Sequence, residues 1–257
     1  MRAVVTSGEE NIVIALQLYT VRYALAQDVV GTLRHVRDAG FRAVETAPLP
    51  PGLTAKQLGA VLRDFGLSVT AAHGDFPLGE GRAEVLDTVA ELGADRLIWH
   101  GWPRDPDCDS LDGFRRLAAR YAEASRVAGE HNLQFGLHNH WWECEPIDDI
   151  YPYQLLHELL PTEVFFELDV YWARTAGLDP VQVLEELGDR VTLLHLKDGP
   201  AVHGQPMTAL GEGVVDIHSA ICAARPDVDL VVELDECATD PMDAARRSLQ
   251  YLQQNGV

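Results

Sequence analysis

The chain has 257 residues, 47% hydrophobic and 23% charged, enough to bury a full core without disulfides or repeats. Its 40 acidic and 20 basic residues give a formal charge of −20, which opposes binding to phosphate backbones and argues against nucleic acid as a partner. No apolar run approaches the roughly 18 residues of a membrane span, and Cys108, Cys144, Cys222 and Cys237 lack zinc-ribbon or disulfide-framework spacing, so a reduced, cytoplasmic protein without membrane contact is expected.

Apolar runs of four to seven residues alternate with helical patterns along the chain. The first strand, Ile12 to Leu18, leads to a helix over Asp28 to Ala39 that Gly40 can stop. Strand two is Phe41 to Glu45, and Thr54 with Gln57 forms a capping box for a helix whose apolar face is Leu58, Val61, Leu62 and Phe65. Strand three, Leu67 to Ala72, delivers His73; a helix over Ala83 to Leu92 precedes strand four, Arg96 to Trp99, which delivers His100. The long helix after Ser110 carries Phe114, Leu117, Ala118, Tyr121 and Ala124 on one stripe. Strand five runs from Leu133, a helix over Tyr153 to Leu160 follows, and strand six is centred on Phe165 to Asp169. Asp179-Pro180 starts a helix that Gly188 ends, strand seven is Val191 to Leu196, and Leu210-Gly211-Glu212-Gly213 opens a helix through Ala224. Strand eight is Asp229 to Glu233, and Asp240-Pro241 starts the last helix, ending near Leu252.

Eight strand-helix pairs with no Pro-, Gly- or Ser-rich linker predict one α/β domain over residues 1–257, a single (β/α)8 barrel. An open doubly wound sheet would call for a glycine-rich turn after the first strand, where this chain has Gln17-Leu18-Tyr19-Thr20. In a parallel barrel every strand aims its C-terminal end at one face, so Glu143, Asp169, His195 and Glu233, each just after an apolar run, would converge. Any one of these acids alone reads equally well as a helix cap. Together, three carboxylates and one imidazole form a ligand set for one divalent cation, with manganese, magnesium, cobalt or zinc as candidates. His138 and His140 share a face opposite Asn139, and either imidazole is an alternative to Glu143 as first ligand.

The segments Gly136-Leu137-His138-Asn139-His140-Trp141-Trp142-Glu143, Phe166-Glu167-Leu168-Asp169-Val170-Tyr171-Trp172, Leu194-His195-Leu196-Lys197-Asp198, Leu210-Gly211-Glu212-Gly213 and Val232-Glu233-Leu234-Asp235 closely resemble the xylose isomerase-like sugar phosphate isomerase/epimerase family. Across nearly the whole chain, that resemblance implies a TIM barrel holding one divalent cation, usually manganese, on Glu143, Asp169, His195 and Glu233. It further implies a keto-sugar substrate, a metal-stabilised enediolate, and Glu143 and Glu233 as the acid/base pair of an isomerase or epimerase. A lyase or dehydratase of the inosose or keto-glycoside kind is the alternative on this scaffold. A nuclease like the abasic-site endonucleases fits the acidic composition poorly.

The remaining strand-end residues are candidates for substrate contact: His73, His100, His138, Lys197, Glu45 and Trp102. The structural alternatives are a satisfied histidine at the barrel mouth, an ion pair of Lys197 with Asp198 or another carboxylate, and Glu45 holding Arg22 or a backbone group. Trp102, Trp141, Trp142 and Trp172 follow strand ends and suggest a wall for a sugar ring. The loop Gly211-Glu212-Gly213 has no Lys or Arg nearby to hold a phosphate. A small carbohydrate is therefore the expected partner. Self-association through the outer helices is a further expectation, although no periodicity marks an interface.

Overall fold

The computed structural model describes residues 12–257, so the first eleven residues of the expected domain lie outside the described residues. Eight parallel strands close in chain order: β1 (Ile14–Gln17), β2 (Ala43–Thr46), β3 (Ser68–Gly74), β4 (Arg96–Trp99), β5 (Gln134–His138), β6 (Phe165–Asp169), β7 (Val191–Leu196) and β8 (Asp229–Val232). Ile14 of β1 pairs with Leu230 of β8, which closes the barrel and leaves no sheet edge. The fold is thus a TIM (β/α)8 barrel, as the alternation predicts.

The helices around it are α1 (Arg22–Gln27), α2 (Val29–Ala39), α3 (Ala55–Asp64), α4 (Arg82–Leu92), α5 (Leu111–Gly129), α6 (Pro152–Leu159), α7 (Val170–Thr175), α8 (Pro180–Leu187), α9 (Ile217–Ala223) and α10 (Pro241–Gln254). The Thr54–Gln57 capping box starts α3, and Gly40, at φ +116°, turns the chain out of α2 as only glycine does readily. Two short helices depart from the sequence reading. Asp28 is extended and accepts a hydrogen bond from Gly31 N, so it separates α1 from α2. Asp169 ends β6 and caps α7 without an intervening loop, its Oδ1 accepting from Trp172 N at 2.8 Å.

The helix expected from Gly211 begins only at Ile217, because the backbone before it has another task. Asp198 Oδ2 accepts from Gly211 N and Gly213 N at 2.9 and 3.0 Å, and Oδ1 from Gly199 N and Val215 N at 2.8 and 3.1 Å. A Cβ at Gly213 would meet Asp198 Oδ1 at 2.1 Å, so glycine is what lets the loop wrap the carboxylate.

Inside the barrel, period-two alternation stacks two layers of opposite character. The lower layer is apolar: Ala15, Ala43, Ala71, Ile98, Phe165, Leu193 and Val231 form one buried cluster, separate from the larger core between sheet and helices. Gly136 supplies the room for Phe165, since a Cβ there would meet its ring at 2.2 Å. Two residues further along each strand the side chains are Gln17, Glu45, His73, His100, His138, Glu167, His195 and Glu233, all polar.

Candidate active site

This polar layer is the floor of a cavity of about 400 Å³ at the C-terminal face, within the ~300–1,000 Å³ range of small-molecule sites. Buried charge is tolerated only when it is paired, and the floor is densely paired. Glu45 Oε1 accepts from Gln17 Nε2 at 2.7 Å and lies 2.7 Å from His195 Nε2. Glu167 Oε2 lies 2.7 Å from His73 Nε2 and 3.2 Å from His138 Nδ1. Lys197, 1% exposed, sets its ammonium 2.9 Å from Asp169 Oδ2, 2.7 Å from Glu233 Oε2 and 2.8 Å from Asp235 Oδ2.

Two overlapping groups of donor atoms, each within 4.8 Å of one another, stand out: an upper group of His138, Asp169, His195 and Glu233, of which His138 and Glu233 line the cavity, and a lower group of His73, His138, Glu167 and His195. In the upper group Asp169 Oδ2 is buried 2.9 Å from the Lys197 ammonium, and His195 Nδ1 is buried 2.8 Å from Glu233 Oε2. Oxygen and nitrogen atoms this close together suit a shared divalent cation, and two imidazoles with two carboxylates are a suitable donor set. In the lower group, by contrast, His73 to Glu167 and His195 to Glu45 meet hydrogen-bond geometry, the arrangement by which carboxylates orient metal-ligating histidines.

Electrostatics follow from this packing. Burial lowers His73, but Glu45 and Glu167 outweigh it and raise the imidazole to about 10, so it stays cationic. His195 likewise rises well above its ordinary value through Glu167, Glu233 and Glu45 despite burial. Burial would raise Glu233, yet Lys197 and His195 hold it well below the usual carboxylate range. Asp235, one alternation further out, is pushed up to about 6 by burial, partly countered by Lys197. His100, lowered to about 4 by burial and by His73, is neutral near pH 7.

The structure brings together three of the four expected ligands, Asp169, His195 and Glu233, with His138 beside them. Glu143 is not in the group. The strand ends at His138 and the chain turns over Trp141 to Cys144, so the Glu143 carboxylate folds back and accepts from His140 N at 2.9 Å. It lies beside a small cavity of about 20 Å³ lined by Tyr121, Leu137 and Cys144, where burial raises it to about 7. His73, His100, His138 and Trp102 line the large cavity; Glu45 and Lys197 do not, being held under His195 and between three carboxylates respectively. Arg22 pairs with Glu236 and not with Glu45. Gln17, Glu167 and Asp235 were missed by strand-end reasoning. Glu167 and Asp235 each lie one period-two step from an expected ligand, Asp169 and Glu233, and that step is the available signal; Gln17 has no such neighbour.

A single parallel barrel with a titratable floor at its C-terminal face is the architecture of barrel enzymes. Residues 33–255 match the family model of the xylose isomerase-like TIM barrel, and the chain belongs to that family. No curated protein sequence matches the chain. Among solved structures, a sugar phosphate isomerase/epimerase from Parabacteroides distasonis superposes with TM-score 0.78 at 22% identity, covering 97% of this chain and 96% of that one. The probable 3-DHS dehydratase of petrobactin synthesis from Bacillus anthracis gives 0.72 at 16%, covering 94% and 99%. The 3-keto-D-glucoside 4-epimerase from E. coli gives 0.64 at 20%, covering 95% and 100%. At these identities the likeness shows the shared fold. Among the described residues no helix is long and apolar enough to cross a membrane.

Proposed function

We propose that this protein is a divalent-metal-dependent isomerase or epimerase of a keto-sugar or related carbohydrate, with His138, Asp169, His195 and Glu233 as the ligands. The observation that carries the reading is the convergence of four buried ligand atoms, one each from His138, Asp169, His195 and Glu233, within 4.8 Å of one another. Two imidazoles beside two carboxylates favour manganese, cobalt or zinc over magnesium. When bound, the cation would polarise a substrate carbonyl and stabilise the negative charge of an enediolate.

The chain's own residues supply the rest. Glu45 Oε1 accepts a hydrogen bond from His195 Nε2–H, which keeps the proton on Nε2 and would leave Nδ1 to ligate the cation. Glu233, kept ionised by Lys197 and His195, is the base for the proton next to the carbonyl. Asp235 lines the same cavity and titrates near 6, which suits it to exchange that proton with solvent or substrate better than Glu143 behind β5. Lys197, tethered to Asp169, Glu233 and Asp235, holds the acids in place.

The test is to strip the protein of metal, restore manganese, magnesium, cobalt or zinc one at a time, and follow solvent deuterium entering a panel of keto-sugars and inososes by mass spectrometry. Exchange that requires the cation supports the reading, and loss of water or of an aglycone in place of a changed configuration would make the enzyme a lyase. A protein that takes up no stoichiometric cation would overturn it.

A further inference from the structure

A connected cluster of aromatic rings lines the cavity from the floor outward. His138 is 5.1 Å from His140, and His140 is 6.4 Å from Trp102, 6.2 Å from Trp141 and 6.4 Å from Trp172. The Lys197 ammonium is 5.7 Å from the Trp172 ring, Trp172 is 5.0 Å from Trp141, and Trp141 is 4.0 Å from His203. Trp102 lines the cavity while 57% exposed, so its ring face is open to a ligand held in the outer cavity. A single sugar ring gripped at the floor would leave this outer wall uncovered.

The same cavity is hostile to phosphate. No Lys or Arg is among its lining residues, whereas Glu233, Asp235 and Glu236 are. The nearby Arg22 guanidinium is held by Glu236 and by the Tyr19 carbonyl. The loop after the seventh strand, where barrels often seat a phosphate on backbone N–H groups, has already spent them: Gly199, Gly211, Gly213 and Val215 all donate to Asp198. An internal carboxylate occupies the nest that a phosphate would use.

We infer that the outer cavity is a subsite for a second, uncharged ring carried by the substrate, a glycosyl unit or a flat aglycone, stacked on Trp102 and facing Trp141, and that phosphorylated sugars are excluded. This rests on the carbohydrate reading above, since the first ring is taken to sit at the metal-binding floor.

The test is calorimetric binding to the metal-loaded protein of four unreactive probes: methyl β-glucoside, phenyl β-glucoside, cellobiose and glucose 6-phosphate. The two-ring probes should bind about 3–10-fold more tightly than the methyl glucoside, the increment of one aromatic contact, and glucose 6-phosphate more weakly than any of them. Preference for phenyl glucoside alone would identify an aglycone, and preference for cellobiose alone a glycosyl unit. Trp102→Ala should collapse the preference ratio to about 1 and Trp102→Phe should restore most of it. Equal binding of one-ring and two-ring probes, no binding of either, an unchanged ratio in Trp102→Ala, or tightest binding of glucose 6-phosphate would each overturn the inference. Deuterium exchange into free keto-sugars reports separately on the metal chemistry, so the two readings can fail independently.

Discussion

The two layers inside the barrel are built on the same eight strands and the same pleat, yet they do opposite work. The lower one, Ala15 to Val231, is apolar and holds the fold by packing, with Gly136 giving way to Phe165. The upper one, Gln17 to Glu233, puts carboxylates and imidazoles where water is scarce and keeps them there by mutual pairing. Two residues of strand, some 6–7 Å, separate a stabilising layer from one that costs desolvation. The lesson is that the barrel concentrates its electrostatic cost at one end, and three of the four clustered ligand atoms, from His138, His195 and Glu233, lie in that layer.

The comparison can be broken most strongly from above. Glu233→Gln keeps the side-chain shape but removes the charge of the proposed ligand and base, and should lower cation-dependent deuterium exchange by about 10²–10⁴-fold with little change in thermal stability. From below, Phe165→Ala should do the reverse, costing about 3–5 kcal/mol in urea unfolding while leaving the cation affinity of the folded protein unchanged. If Phe165→Ala lost the cation without losing stability, the division of labour between layers would be wrong.

Glu143 belongs to neither layer, and its pH dependence has a definite sign. Its folded value of about 7 lies above the ordinary 4.5, so the folded state keeps a proton that the unfolded chain has released. Stability from this group therefore falls as pH rises from about 4.5 to 7 and is flat above, a drop of about 3 kcal/mol at 1.36 kcal/mol per unit. Urea unfolding of Glu143→Gln at pH 5 and pH 8 should show that slope reduced, with cation affinity unchanged. A large loss of cation affinity in this variant would return Glu143 to the ligand set.

The smallest effect is expected beneath the site. Glu45→Gln retains an acceptor for His195 Nε2 but not the charge, and should weaken cation binding about 10–100-fold, as removal of a carboxylate orienter does. Nitrogen-15 NMR of the imidazole would report the change in the His195 tautomer directly. Unaltered affinity and tautomer would mean that Glu45 only fills the barrel.

Much of this was legible beforehand. Apolar runs alternating with capped helices gave the barrel, because period and caps are local properties of the chain. Asp169, His195 and Glu233 were legible because each lies at or within a residue or two of the end of a strand, where the direction of a parallel strand fixes the direction of its side chains. Glu143 was harder. It lies five residues beyond the end of β5, and past the last paired residue alternation no longer says where a side chain points. His138, on the strand itself and in register with Glu167, was the residue whose direction the pleat controlled.

The sequence alone, then, determined the eight-strand alternation, the helix starts at Thr54, Asp179 and Asp240, and the face on which the acids and histidines would gather, since each depends on neighbours a few residues away. The tertiary structure alone decided which donor atoms meet, that His138 and not Glu143 joins Asp169, His195 and Glu233, and that Asp198 fills the glycine loop. Those outcomes depend on strand register, barrel closure and competition for buried hydrogen bonds among residues far apart in sequence, and such competition is settled only when the barrel closes.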